Sequence, residues 1–152
     1  MAVVNAVTPA QRDLVHWLLE EEMGDGRGSE ALLDAAERAS RKLGSRLARL
    51  ITVVGYRALL ARALHLARDE FPFLSGVRAG ETDDASFDGL RAKTDGVEPA
   101  SLRAALTTVL AGVLGLLTTF IGEDLTLRVV RDVWPEAPFG ETRAWPAEEA
   151  HP

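Results

Sequence analysis

The feature that most constrains this chain is a helical rhythm that runs for about forty residues without a proline. Leu32, Ala36, Ala39, Leu43, Leu47, Leu50 and Val54 recur at steps of three and four, and Leu60, Leu64, Ala67 and Phe71 continue the pattern until Pro72. Such steps place apolar side chains on one face of an α-helix. Ser29 stands where an N-cap is expected and Glu30 suits the first turn. Gly44 and Gly55 each weaken the helix by about 1 kcal/mol relative to alanine, and a kink or break is expected near Gly44. Unbroken, such a helix would span about 60 Å at 1.5 Å per residue. That exceeds the width of a compact domain, so part of the apolar stripe would lack cover within the chain. The expectation is self-association, or a helical protein partner, through this second helix.

Shorter helices flank it. Thr8-Pro9-Ala10-Gln11 supplies a capping hydroxyl, a proline at the first helical position and a glutamine to complete a capping box; Leu14, Val15, Leu18 and Leu19 follow at helical spacing. Gly24, Gly26 and Gly28 end that helix. Pro99 opens another, with Leu102, Leu106, Val109, Val113, Leu117 and Phe120 on one face. Gly122 is expected to kink it, and Leu125, Val129, Val130 and Val133 carry it on to Trp134, where Pro135 stops it. Residues 73–98 read as a loop with one short helix around Asp84–Arg91. β-Branched residues are too few to build a sheet. At 152 residues the chain suits one domain that buries roughly two-thirds of its unfolded surface. The fold expected is an all-α bundle of four to five helices over residues 1–135, followed by an extended C-terminal tail over 136–152.

Ala104–Ile121 passes without a charge, which just reaches membrane-span length. It also holds four threonines and two glycines, and neither flank is strongly basic. A helix apolar all round is what the centre of a soluble bundle requires, so this segment reads as the core helix. Gly112 and Gly115 would let a neighbouring helix approach closely, and a ligand cavity beside them is the functional alternative.

Arg38, Arg41, Lys42, Arg46 and Arg49 fall in a stretch with no acid, and Arg38, Lys42, Arg46 and Arg49 share one helix face. As a site, this stripe would bind an anion or an acidic partner. As plain structure, it would be a solvated face or would pair with Glu20, Glu21 and Glu22. Nucleic acid is not expected, because the stripe lacks interleaved aromatics and the net charge is −6.

Other chemistry finds less support. His16 and His65 each have a carboxylate one turn away, but the repeated ligand set of a diiron bundle is missing. Asp84, Ser86, Asp88, Gly89 and Asp95 fill some positions of a calcium loop, yet Arg91 and Ala92 break the pattern. The chain has no cysteine, which removes disulfides, thiol catalysis and cysteine-ligated metals. Nucleophile elbows, phosphate-binding glycine loops and dinucleotide fingerprints are missing too. No catalytic residue, metal or cofactor is therefore assigned.

These features lead to a non-enzymatic helical interaction module, an adaptor, regulator or assembly subunit. A small-molecule or anion sensor is the alternative, and a metal-dependent or phosphotransfer bundle using His16 or His65 comes third. The N-terminus lacks the pattern of a signal peptide, so a cytoplasmic location is expected. The preference for arginine over lysine fits a bacterial source. In the tail, Phe139 and Trp145 stand among prolines and acids, and aromatics in such a segment are candidate partner anchors. The basic stripe itself is a possible dock for Glu148 and Glu149.

Overall fold

The computed structural model describes residues 7–80 and 87–138. Its elements are α1 (Pro9–Met23), α2 (Gly28–Ala67), a 3-10 turn (Pro72–Gly76), β1 (Arg78–Ala79), β2 (Phe87–Asp88), α3 (Leu90–Lys93), α4 (Pro99–Ile121) and α5 (Glu123–Val133). The protein is an all-α bundle with a long second helix. Among the described residues the strand content is a two-residue antiparallel pairing of β1 with β2 ahead of α3.

Local sequence explains the helix ends. The capping box at α1 forms: the Gln11 amide donates to Thr8 Oγ1 and the Thr8 amide to Gln11 Oε1, each at 3.1 Å. At α2 the expectation differs from the structure. The helix opens after Arg27 with no side-chain cap, Gly28 turns the chain in at φ 86, and Ser29 lies inside the first turn. Gly122, at φ 93, separates α4 from α5. Only glycine adopts that backbone without a Cβ penalty, so the kink expected there becomes a clean break.

The interruption in α2 is at Thr52 and not at Gly44. Thr52 has φ 70 and ψ 163, whereas Gly44 is helical and buried. Gly44 costs helix propensity, yet the helix runs through it unbroken in the buried core. Ile51-Thr52-Val53-Val54 is a run of β-branched residues, each poor in a helix. Thr52 Oγ1 also accepts the Gly55 amide at 3.0 Å, which recaps the helix beyond the bend. The second arm then folds back, so that Tyr56 packs against Ser40. There is thus no 60 Å rod whose uncovered length would demand a second chain.

α4 is the central element. It packs on α1, α2 and α5, and buries Leu102, Ala105, Leu106, Val109, Leu110, Val113, Leu114 and Leu117. A Cβ added at Gly112 would meet Ala63 of α2, and one at Gly115 would meet Gln11 of α1, at ordinary contact distance. A Cβ would fit at either position, so the approach of these helices does not depend on glycine. α2 and α4 are each long and apolar enough to cross a membrane by length and composition; half of that apolar window in α4 is buried in the bundle. Three large apolar side chains placed on core faces by periodicity are instead exposed: Leu50, Val54 and Phe120. Leu50 and Val54 flank the bend, which rotates them away from the core, and Phe120 lies in the last turn of α4.

Candidate functional site

α1, α2 and α5 meet at Glu22, and this junction divides the basic stripe into two parts of different character. Lys42 Nζ donates to Glu22 Oε2 at 2.6 Å, Arg38 Nε to Oε1 at 3.3 Å, and Trp134 Nε1 to Oε2 at 2.9 Å. The Arg38 guanidinium also reaches the Glu22 carbonyl at 2.5 Å. The Glu22 side chain is only 5% exposed. Burial by itself would raise its pKa; the donors Lys42, Trp134 and Arg38 outweigh that and hold it below the ordinary carboxylate range. Arg38 and Lys42 therefore fasten α2 to α1, while Trp134 fastens the end of α5 to the same carboxylate.

The other cations of the stripe are not paired in this way. Arg41, Arg46 and Arg49 form no ion pair or hydrogen bond among the described residues. Arg46 and Arg49, with Arg41, Lys42, Ser45 and Val133, line an open cleft of about 620 Å³ between α2 and α5. They also line an adjoining cavity of about 250 Å³, whose other walls are Leu50, Leu125, Val129, Arg128 and Asp132. Glu20, the other acid expected to face the stripe, turns to α4 and pairs with Arg103 at 2.6 Å. The stripe is thus structural at Arg38, shared at Lys42, and open at Arg46 and Arg49.

Compared with family models, curated proteins and solved structures, this chain matches none. Its function has to be read from this geometry.

The remaining candidates are not drawn together. His16 Nδ1 accepts from Arg103 Nε at 3.4 Å, and His65 Nδ1 lies 3.4 Å from Arg68 Nη1. Among the described residues no group of three His, Asp or Glu is placed to hold a metal ion. Asp84 and Ser86 lie outside the described residues, and Leu90–Lys93 of the same segment form α3. Arg91 there bonds Asp34, Glu30 at 2.8 Å and Glu37 at 3.3 Å, and so fixes α3 to α2. Phe139, Trp145, Glu148 and Glu149 also lie outside the described residues.

Sequence reasoning missed half of the cleft. Arg128, Leu125, Val129 and Asp132 are on α5, some eighty residues downstream of the stripe. Their spacing marks one helix face, but nothing in one sequence shows that this face meets α2. Glu22 was a legible partner for the stripe; its further bond to Trp134 was not.

Proposed function

We propose that this chain is a non-enzymatic helical interaction module that takes an acidic protein partner in the cleft between α2 and α5. The observation that carries this reading is the state of Arg46 and Arg49, which line both cavities and form no ion pair among the described residues, not even with Asp132 in the smaller one. Arg41, Lys42 and Arg128 add to the same positive field. Cations crowded along one cleft repel one another, so the arrangement adds nothing to the stability of the free domain. An acidic partner relieves the repulsion, and bidentate arginine contacts give it orientation. The net charge of −6 and a cleft without aromatic walls weigh against nucleic acid. On this reading α4 is a core helix and the protein works in the cytoplasm.

A small-molecule anion sensor is the second reading. The 620 Å³ of the open cleft favours it, since small-ligand sites commonly have about 300–1,000 Å³.

Affinity capture from the native host tests the proposal, with partners identified by mass spectrometry. Three baits are compared: the wild-type chain, the Arg46→Glu/Arg49→Glu variant, and Arg62→Glu, an exposed position on α2 that does not line the cleft. The expected result is a partner held by wild type and Arg62→Glu and lost from the double variant. Recovery of the same proteins by all three baits sinks the proposal.

A further inference from the structure

The two cavities between α2 and α5 share Arg46 and Arg49 and are therefore two ends of one groove. The ends differ in chemistry. The larger is walled by Arg41, Lys42, Ser45 and the shared arginines, with Val133 its one apolar residue. The smaller sets Leu50, Leu125 and Val129 beside the shared arginines, together with Arg128 and Asp132. Leu50 is 49% exposed there, although it is a large aliphatic residue on a helix that otherwise buries its leucines well.

We infer that the occupant of this groove is an acidic protein segment with one apolar anchor, its carboxylates against Arg41–Arg49 and its anchor on Leu50, Leu125 and Val129. This deepens the proposed function and rests on it. Three observations select this class of ligand. From Lys42 to Arg49 the helix rises about 10 Å, which is the length of about three extended residues, so two carboxylates on one face of a strand, about 7 Å apart, can each meet a cation. A lone small anion spans less than that separation. The apolar end, at about 250 Å³, falls below the range for drug-sized ligands and suits a single side chain. Leu50, Leu125 and Val129 all line this end and none of them lines the other, which sets the direction in which the segment lies. A phosphate site of the helix-start or glycine-loop kind gathers main-chain amides. Here the cations lie along the middle of α2, whose amides are already committed to the helix.

Fluorescence anisotropy with labelled short peptides tests this on the full chain. One peptide has a leucine flanked by glutamates, the second has serine in its place, and polyglutamate and pyrophosphate serve as further probes. The leucine peptide is expected to bind about tenfold more tightly than the serine peptide, the factor set by burying most of one aliphatic side chain. Leu50→Ser, a partly exposed position whose change leaves the core intact, should erase that difference while polyglutamate binding stays. Equal binding of the two peptides, with Leu50→Ser silent, overturns the anchor and leaves the acidic-partner reading standing. If neither peptide nor polyglutamate binds, both are overturned. Binding of pyrophosphate alone moves the site to the small-anion class.

Discussion

The Tyr56 hydroxyl lies 3.0 Å from Ser40 Oγ, both side chains are enclosed in the core, and the two residues belong to one helix. In a straight helix, residues sixteen apart would stand about 24 Å from each other. The contact exists because α2 folds back at Thr52, and it is the polar link between the two arms. It also leaves the exposed cleft face of α2 confined to the first arm, opposite α5.

Tyr56→Phe and Ser40→Ala are each expected to cost about 1–2 kcal/mol, the price of one buried hydrogen bond with a group left behind. The double variant should lose less than the sum, since both changes remove the same link. Urea unfolding of the four proteins measures this cycle. Burial raises the Tyr56 pKa to about 12, from 10.0. The folded state thus keeps a proton that the unfolded state loses, and stability contributed below pH 10 should decline between pH 10 and 12. The decline is about 1.4 kcal/mol per pH unit at most and should be missing from Tyr56→Phe.

Thr52 holds φ 70 and ψ 163, a region that only glycine occupies freely. Thr52→Gly removes the Cβ strain at the cost of a weak cap, and should stabilise the protein by about 1 kcal/mol. Thr52→Ala keeps the strain and loses the Oγ1 bond to Gly55, so it should destabilise by about 1 kcal/mol. Melting temperatures shifting in opposite directions would support the bend; a stabilising Thr52→Ala would argue against it.

The two halves of the basic stripe should respond differently to substitution. Arg46→Ala and Arg49→Ala break no ion pair among the described residues and should stay within about 0.5 kcal/mol of wild type. Glu22→Gln weakens bonds to Lys42, Arg38 and Trp134 and should cost about 1–2 kcal/mol at neutral pH, the low end because Arg38 and Lys42 are half exposed. Glu22 has a lowered pKa, so its contribution is present above pH 4.5, the ordinary value, and is lost as pH falls through the depressed one. Melting curves of wild type and Glu22→Gln should therefore converge in acid.

Val113, at the centre of α4, is fully buried. Val113→Asp places a charge in the core with no partner and should cost about 3 kcal/mol or more. A chemical-denaturation midpoint equal to that of wild type would mean that α4 is not the core helix.

The helices themselves were legible in the sequence, because periodicity and capping are local properties. Thr8 and Gln11 announce the start of α1, Gly122 separates α4 from α5, and the uncharged run from Ala104 places the core helix. The bend in α2 was misplaced because glycine propensity was weighed alone. Gly44 is helical and buried, while the β-branched run at Ile51–Val54 combines with a threonine that recaps the chain. The basic stripe was visible as a pattern, but not its division. Whether a cation is paired depends on what stands opposite, and Glu22 and α5 arrive there only through the packing of α1 and α4. The sequence by itself determined the all-α class, the order of the helices and which faces are apolar or basic, since each follows from residues within a few turns of one another. Only the tertiary structure decided that α2 folds back, that Arg38 is consumed by Glu22, and that Arg46 and Arg49 open onto Leu125 and Val129. Those contacts join residues far apart in the chain, and their energies depend on distance and burial that no local pattern contains.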